Sequence, residues 1–111
     1  MAVQLQTQSD SLIATLLGEI DHHCSGLLRL EIDQQIELTQ PQTLILDFSH
    51  VTFMDSSGIG LIMGRHRVMD AIGGELVIRN PPPHICRVMR ISGMERIAQI
   101  QNQKPEKEDL L

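Results

Sequence analysis

The densest cluster of chemically capable residues in this sequence is Phe53-Met54-Asp55-Ser56-Ser57-Gly58-Ile59-Gly60. Asp55, Ser56 and Ser57 are all helix-capping types, since their side-chain oxygens accept hydrogen bonds from the unpaired N–H groups of a first helical turn. Gly58 and Gly60 lower helix propensity, yet they let a partner backbone or an anion approach the helix start. One reading is a well-capped helix packed closely on its sheet. The other is an exposed hydroxyl at the positive end of a helix dipole, where a phosphate can be carried without melting the fold.

Other chemistries fit less well. A serine nucleophile calls for a GxSxG elbow or a positioned histidine, and Asp55-Ser56-Ser57-Gly58 has no elbow, while His50 and His66 are near only in sequence. Gly58-x-Gly60-x-x-x-Gly64 has the wrong final spacing for a dinucleotide fingerprint and lies inside a helix. In Asp21-His22-His23-Cys24 the residues are adjacent and cannot all aim at one ion, so the histidines are read as capping the next helix rather than as metal ligands. Cys24 and Cys86 form no CxxC pair and are read as small buried hydrophobes of a reduced protein. No cofactor and no metal are implied.

Composition narrows the partners. The 111 residues suffice for one domain, and nine Lys plus Arg against fourteen Asp plus Glu give a net charge of −5. There is no Trp or Tyr, and the aromatic rings are limited to Phe48 and Phe53. An acidic chain with only two such rings lacks the stacking platforms and the basic face of a nucleic-acid binder, so direct nucleic-acid binding is disfavoured. Adhesion to an anionic membrane is disfavoured too. No apolar run approaches a spanning helix and no signal segment is evident, so a cytoplasmic location is expected.

These residues need elements to hold them. Val3–Thr7 alternates as an edge strand and Leu12–Leu17 is nearly continuous, so the two predict an antiparallel hairpin, with Gly18 ending the second strand and 19–23 forming a loop. Leu28, Ile32 and Ile36 predict an amphipathic helix over 25–38, closed by Pro41. Thr43–Phe48 predicts a central strand buried on both faces, and 49–55 a loop. A helix then runs to about Ala71, with an apolar stripe of Ile59, Ile62, Met63, Met69 and Ile72 and with Arg65 and Arg67 off it. Gly73-Gly74 stops that helix, and Glu75–Arg79 is a third inner strand. Asn80 is expected to cap a helix that takes Pro81-Pro82-Pro83 in its first turn and runs through Ile85, Val88 and Met89 to Ser92-Gly93. A last strand covers 97–100. The polar stretch 101–111, which holds Lys104 and Lys107, is expected to be a mobile tail to a domain spanning 1–100. The pattern ββαβαβαβ predicts the α/β class, with a mixed sheet of four to five strands and helical crossovers. Phe48 and Phe53 are expected to anchor the segment that delivers Ser56.

Three stretches carry a family likeness: Gly18-Glu19-Ile20-Asp21-His22-His23, Phe53 to Arg65, and Ile72-Gly73-Gly74-Glu75. Together they resemble the anti-sigma factor antagonists, small stand-alone STAS domains, with the sporulation branch acting on sigma F nearest in pattern. The resemblance covers Val3 to Ile100. It implies a partner-switching regulator with no catalytic activity. The unphosphorylated form would bind an anti-sigma factor serine kinase and release the sigma factor. That kinase would phosphorylate the position matching Ser56, and a metal-dependent serine phosphatase would remove the phosphate. The same matching assigns Asp21, Asp55, Ser56, Ser57 and Gly58 to the partner-binding surface. His66 departs from the pattern, standing where relatives often carry an aromatic, which bears on packing or partner fit. A different use of the same domain is a sensor or scaffold subunit of a stress-signalling or transport complex binding a nucleotide or lipid. A hydrolase comes third.

Overall fold

Every second residue of Leu12–Leu16 is fully buried, as alternation on a one-sided strand requires: Leu12, Ala14 and Leu16 are each 0% exposed. The same register carries across the sheet, where Leu44, Leu46 and Phe48, then Leu76 and Ile78, lie in one core with them. In the computed structural model, which describes residues 3–102, the order of elements is β1 (Val3–Gln8), β2 (Ser11–Ile20), α1 (Ser25–Thr39), β3 (Thr43–Met54), α2 (Ser56–Ala71), β4 (Glu75–Arg79), α3 (Pro83–Ile91), a single 3-10 turn (Met94–Arg96) and β5 (Gln99–Gln101). The five strands stand in the order β1-β2-β3-β4-β5. β1 and β2 are antiparallel, and the remaining pairs are parallel. The α/β class, the ββαβαβαβ order and the helical crossovers are those predicted.

The helices cover one face only. The buried residues of α1 (Leu28, Ile32, Ile36), of α2 (Leu61, Ile62, Met69) and of α3 (Ile85, Met89) all join that single core. On the opposite face Ile13, Ile45 and Val77 stand side by side across β2, β3 and β4, and Ile45 and Val77 lie outside the core cluster. The expectation of a central strand buried on both faces holds for residues 43–48, with Ile45 on the second face only 8% exposed, but among the described residues no helix layer covers that second face. β3 is apolar on both faces, but one face rests on neighbouring strand residues instead of a helix layer.

Several boundaries move. Gly18 does not end β2: it takes a left-handed φ of 78° at an irregularity in the pairing with β3, and the strand goes on to Ile20. The segment expected as a loop from 49 to 55 is mostly strand, with β3 reaching Met54. Asn80 is not the cap of α3. It has a left-handed φ of 54° and donates its N–H to the Gln101 carbonyl at 2.7 Å, while Pro82 precedes the helix. On α2 the buried side is Gly58, Leu61, Ile62, Arg65 and Met69, whereas Met63 and Ile72 are exposed, as is Val88 on α3. The last strand, expected over 97–100, covers 99–101, so Gln101 belongs to the sheet and not to a tail; the tail expectation from 103 onward, both lysines included, falls outside the described residues. Among the described residues no helix is long and apolar enough to cross a membrane.

The largest correction concerns Arg65, expected off the apolar stripe and found 4% exposed. A buried guanidinium needs a counter-charge, and α1 supplies it: Arg65 Nη2 donates to Asp33 Oδ2 at 3.2 Å, with Nε 2.8 Å from Asp33 Oδ1. The latter approach lies off the N–H direction, making it an ion pair and not a hydrogen bond. This pair ties α1 to α2. Asp33→Ala is expected to cost about 1.5–3 kcal/mol in urea denaturation, because it strands a buried charge. Asp33→Ala combined with Arg65→Met should recover most of that loss; a double variant no more stable than the single one would show that Arg65 contributes something besides its charge.

Candidate functional site

Pairing of β2 with β3 past Gly18 sets Ile20 opposite Met54, so the two strands end together. The next residue on each strand, Asp21 and Asp55, begins a connection to a helix. The two connections are tied directly, as the Asp55 N–H donates to the Ile20 carbonyl at 3.1 Å.

Each aspartate then organises its own turn. Asp55 is the N-cap of α2, in extended conformation at φ −100° and ψ −170°. Its Oδ1 accepts both the Ser57 N–H at 2.8 Å and the Ser57 hydroxyl at 2.5 Å, and its Oδ2 lies 3.7 Å from His22 Nδ1. Asp21 Oδ1 accepts the N–H groups of His23, at 3.0 Å, and Cys24, at 3.2 Å. The histidines expected to cap α1 do not do so. Asp21 holds the turn before that helix, and Cys24 sits at the N-cap position without a side-chain cap. Cys24 and Cys86, expected as buried hydrophobes, are each half-buried; Cys24 packs against the core while its thiol donates to the Glu19 carbonyl at 3.2 Å.

These bonds shift both carboxyls. The Ser57 hydroxyl, then the Ser57 N–H, hold the Asp55 carboxyl below its ordinary 3.8. Burial pushes the Asp21 carboxyl upward, but the His23 and Cys24 N–H donors outweigh it and the net is also below 3.8. Both sites are therefore anionic at neutral pH.

The two serines differ sharply. Ser57 is half-buried, and its hydroxyl is engaged by Asp55. Ser56, the first residue of α2, is exposed, and its hydroxyl makes no hydrogen bond among the described residues. The two glycines differ as well. Gly58 is buried, and a Cβ there would run into Cγ and Sδ of Met54, so it serves close packing of α2 on the end of β3. A Cβ on Gly60 would meet nothing within 4 Å. Asp21, Asp55, Ser56 and Ser57 thus share one face, and Gly58 lies beneath it.

Phe53, expected as an anchor, is 49% exposed, whereas Phe48 is fully buried. His66 is half-buried on α2 and borders a small cleft with Gly74, Glu95 and Ala98, away from Ser57. His50 pairs with Ser49, its Nδ1 3.1 Å from Ser49 Oγ. Sequence reasoning missed His22 as a neighbour of Asp55 and the cleft that Arg29, Arg65 and Arg67 make between α1 and α2. The i, i+4 spacing of Arg29 with Asp33 suggests a pair within α1, but Asp33 is taken by Arg65 instead.

The sequence matches the STAS domain family over residues 2–106. The anti-sigma F factor antagonist of Paenibacillus polymyxa is 33% identical over 100 residues, covering 90% of this chain and 86% of that relative. The one from Lysinibacillus sphaericus is 35% identical over 85 residues, covering 77% of this chain and 73% of the relative. Among solved structures, the anti-sigma factor antagonist SpoIIAA in its unphosphorylated form superposes with a TM-score of 0.79 at 33% identity, over 98% of this chain and 93% of that one. The Bacillus cell fate determinant SpoIIAA in the phosphorylated form gives 0.72 at 33% identity, over 98% and 96% of the two chains.

The packing makes opposite demands on the two glycines. Gly58→Ala is expected to destabilise by about 1–3 kcal/mol through overpacking against Met54, while Gly60→Ala should stabilise by up to about 1 kcal/mol through helix propensity. Urea unfolding of the two variants checks the contrast, and equal effects would contradict it. The aspartate caps add a pH signature. A carboxyl whose folded pKa lies below its unfolded value stabilises the fold above the unfolded value, and that stability is lost as pH falls through the folded pKa. The Asp21→Asn, Asp55→Asn double variant should therefore lose less Tm than the wild type between about pH 5 and pH 2. Parallel Tm curves would rule out charge-dependent caps.

Proposed function

Because the chain belongs to the STAS domain family, we propose that it is an anti-sigma factor antagonist of the partner-switching kind: a regulatory binding protein, not an enzyme. In this reading the unphosphorylated form binds an anti-sigma factor that is also a serine kinase and so frees the sigma factor, sigma F of sporulation. Phosphorylation of Ser56 ends the complex, and a metal-dependent serine phosphatase restores the binding form. Asp21, Asp55, Ser56 and Ser57 form the contact surface, and Gly58 lets α2 sit close beneath it. The folded unit is one STAS domain whose last strand, β5, closes at Gln101, one residue past the expected boundary at 100. The names and identities of the relatives support the class of function.

The observation that carries the reading is the difference between adjacent serines. An exposed hydroxyl with no hydrogen bond to give up is the easier one for a kinase to engage, and Ser56 meets both conditions, whereas Ser57 is half-buried and already donates to Asp55. A phosphate there adds roughly −1.5 to −2 charges beside the Asp55 carboxylate. The α2 dipole offsets part of this, by about 0.3–1 kcal/mol, so the fold survives. A dianion left unpaired within a tight interface costs several kcal/mol, so the complex does not. The likeness to relatives in both unphosphorylated and phosphorylated forms agrees with a modification that leaves the fold in place.

Incubation with ATP and the cognate anti-sigma factor should add one phosphate by mass spectrometry, absent in Ser56→Ala and retained in Ser57→Ala. Ser56→Asp should keep the wild-type Tm yet bind the anti-sigma factor at least about tenfold more weakly, whereas Ser56→Ala binds persistently. Equal affinities for the two Ser56 variants would refute the switch.

A further inference from the structure

The face that carries Ser56 continues sideways. Between α1 and α2 lies an open cleft of about 530 Å³ bordered by Ser57, Gly60, Gly64, Arg29, Arg65 and Arg67. A Cβ on Gly60 or Gly64 would meet nothing within 4 Å, so neither glycine is needed for internal packing, and both leave the wall of the cleft bare. Arg65, only 4% exposed, bounds the cleft and is held by Asp33; its Nη1 is covered and has no acceptor. Arg29 lies near enough to oppose the Arg65 charge. Neither Arg29 nor Arg67 has an ion-pair partner among the described residues. Three guanidiniums thus meet one carboxylate, a local excess of three minus one, or two positive charges, on a chain whose net charge is −5.

This placement goes against the rest of the molecule. Like charges gathered on an acidic protein repel one another unless something anionic arrives, and arginine suits a carboxylate because its planar fork can bond both oxygens. The cleft is broad and open, a shape that suits a side chain reaching in from a neighbouring surface; small-molecule sites bury most of their ligand. Ser57 joins it to the Asp55 cap, so one partner surface spans both.

We infer that the α1–α2 cleft is a pocket for an acidic side chain of the anti-sigma factor, received by Arg29 and Arg67 over the Arg65–Asp33 pair. The inference rests on the partner reading above and extends its contact surface along the helices. The surface is then two-signed: aspartate caps at the ends of β2 and β3 meet cationic groups of the partner, and the arginine cleft meets an anionic one. Opposed charge pairs of this kind fix the orientation of a complex and speed its formation.

Calorimetric titration of the full chain with its cognate anti-sigma factor tests this. Arg29→Glu and Arg67→Glu are exposed changes that should leave Tm unchanged and weaken binding by about tenfold or more. The affinity of the wild type should also fall more steeply than that of Arg29→Glu between about 50 and 300 mM salt. Charge reversal of one acidic residue of the partner should restore the affinity of Arg29→Glu. Wild-type binding that Ser56→Asp abolishes but both arginine variants keep within about twofold would overturn the cleft and leave the switch standing. A wild type that binds no anti-sigma factor would overturn both. Inorganic phosphate titrated into 15N-labelled protein supplies the remaining arm: saturable sub-millimolar shifts at Gly60 and Gly64 would assign the cleft to a free anion and overturn the docking role.

Discussion

The site depends on how far β2 and β3 stay paired. Had β2 stopped at Gly18, the Asp21 turn and the start of α2 would hang from separate loops. Instead the pairing absorbs two irregularities and runs on to Ile20 and Met54, both buried, with Ile20 at 0% and Met54 at 9% exposure. The Asp55 N–H bonded to the Ile20 carbonyl closes the arrangement. From there the direction of α2 is set by Asp55 above and by Met54 packed under Gly58 below. A surface residue, Ser56, is thus positioned by core contacts. That is how an exposed hydroxyl keeps a fixed place without a hydrogen bond of its own.

Charge is sorted on this framework in a way that net charge conceals. The carboxylates of Asp21 and Asp55 are satisfied by N–H groups of their own turns, so they stay ionised while only half-buried. Arg65 is the reverse case, a charge buried among helix residues and held by Asp33. Burial lowers its pKa, Asp33 raises it, and Arg29 lowers it again, yet guanidinium stays charged in proteins. The desolvation of Arg65 offsets much of what its attraction to Asp33 contributes to stability. Its structural effect is to fix how α1 lies against α2, and hence how the Asp21 turn lies against Ser56.

Periodicity made the class and order of elements legible, because period-2 and period-3.6 burial follow from the chain's geometry alone. Leu28, Ile32 and Ile36 on α1 and Leu12, Ala14 and Leu16 on β2 are where that pattern places them. What escaped reading has a common cause: tertiary context overrides local propensity. Gly18 looks like a stop, but the same freedom of φ lets it carry a strand through a bulge. Ser49 to Phe53 is polar enough to look like a loop, and it is strand because β2 is there to pair with it. Arg65 looks solvent-facing until Asp33, thirty-two residues away, is brought beside it. At the site the residue types were readable and the division of labour was not. Nothing in Ser56-Ser57 says which hydroxyl the cap will engage, and nothing in Gly58-Ile59-Gly60 says which glycine lies against Met54.

That division of labour decides what a modification can do. A phosphate on Ser57 would remove the hydroxyl proton that Asp55 accepts and set a dianion against the capping carboxylate, so the start of α2 would be disturbed. A phosphate on Ser56 disturbs no bond present in the fold, since that hydroxyl makes none among the described residues. The fold therefore has almost nothing to lose from the modification, while any surface docked over Ser56 must accommodate its volume and charge. Such a switch needs no second conformation of the domain. In the proposed reading its free energy would appear at the interface, where differential binding of two chemical states, and not movement within one of them, would separate the partners.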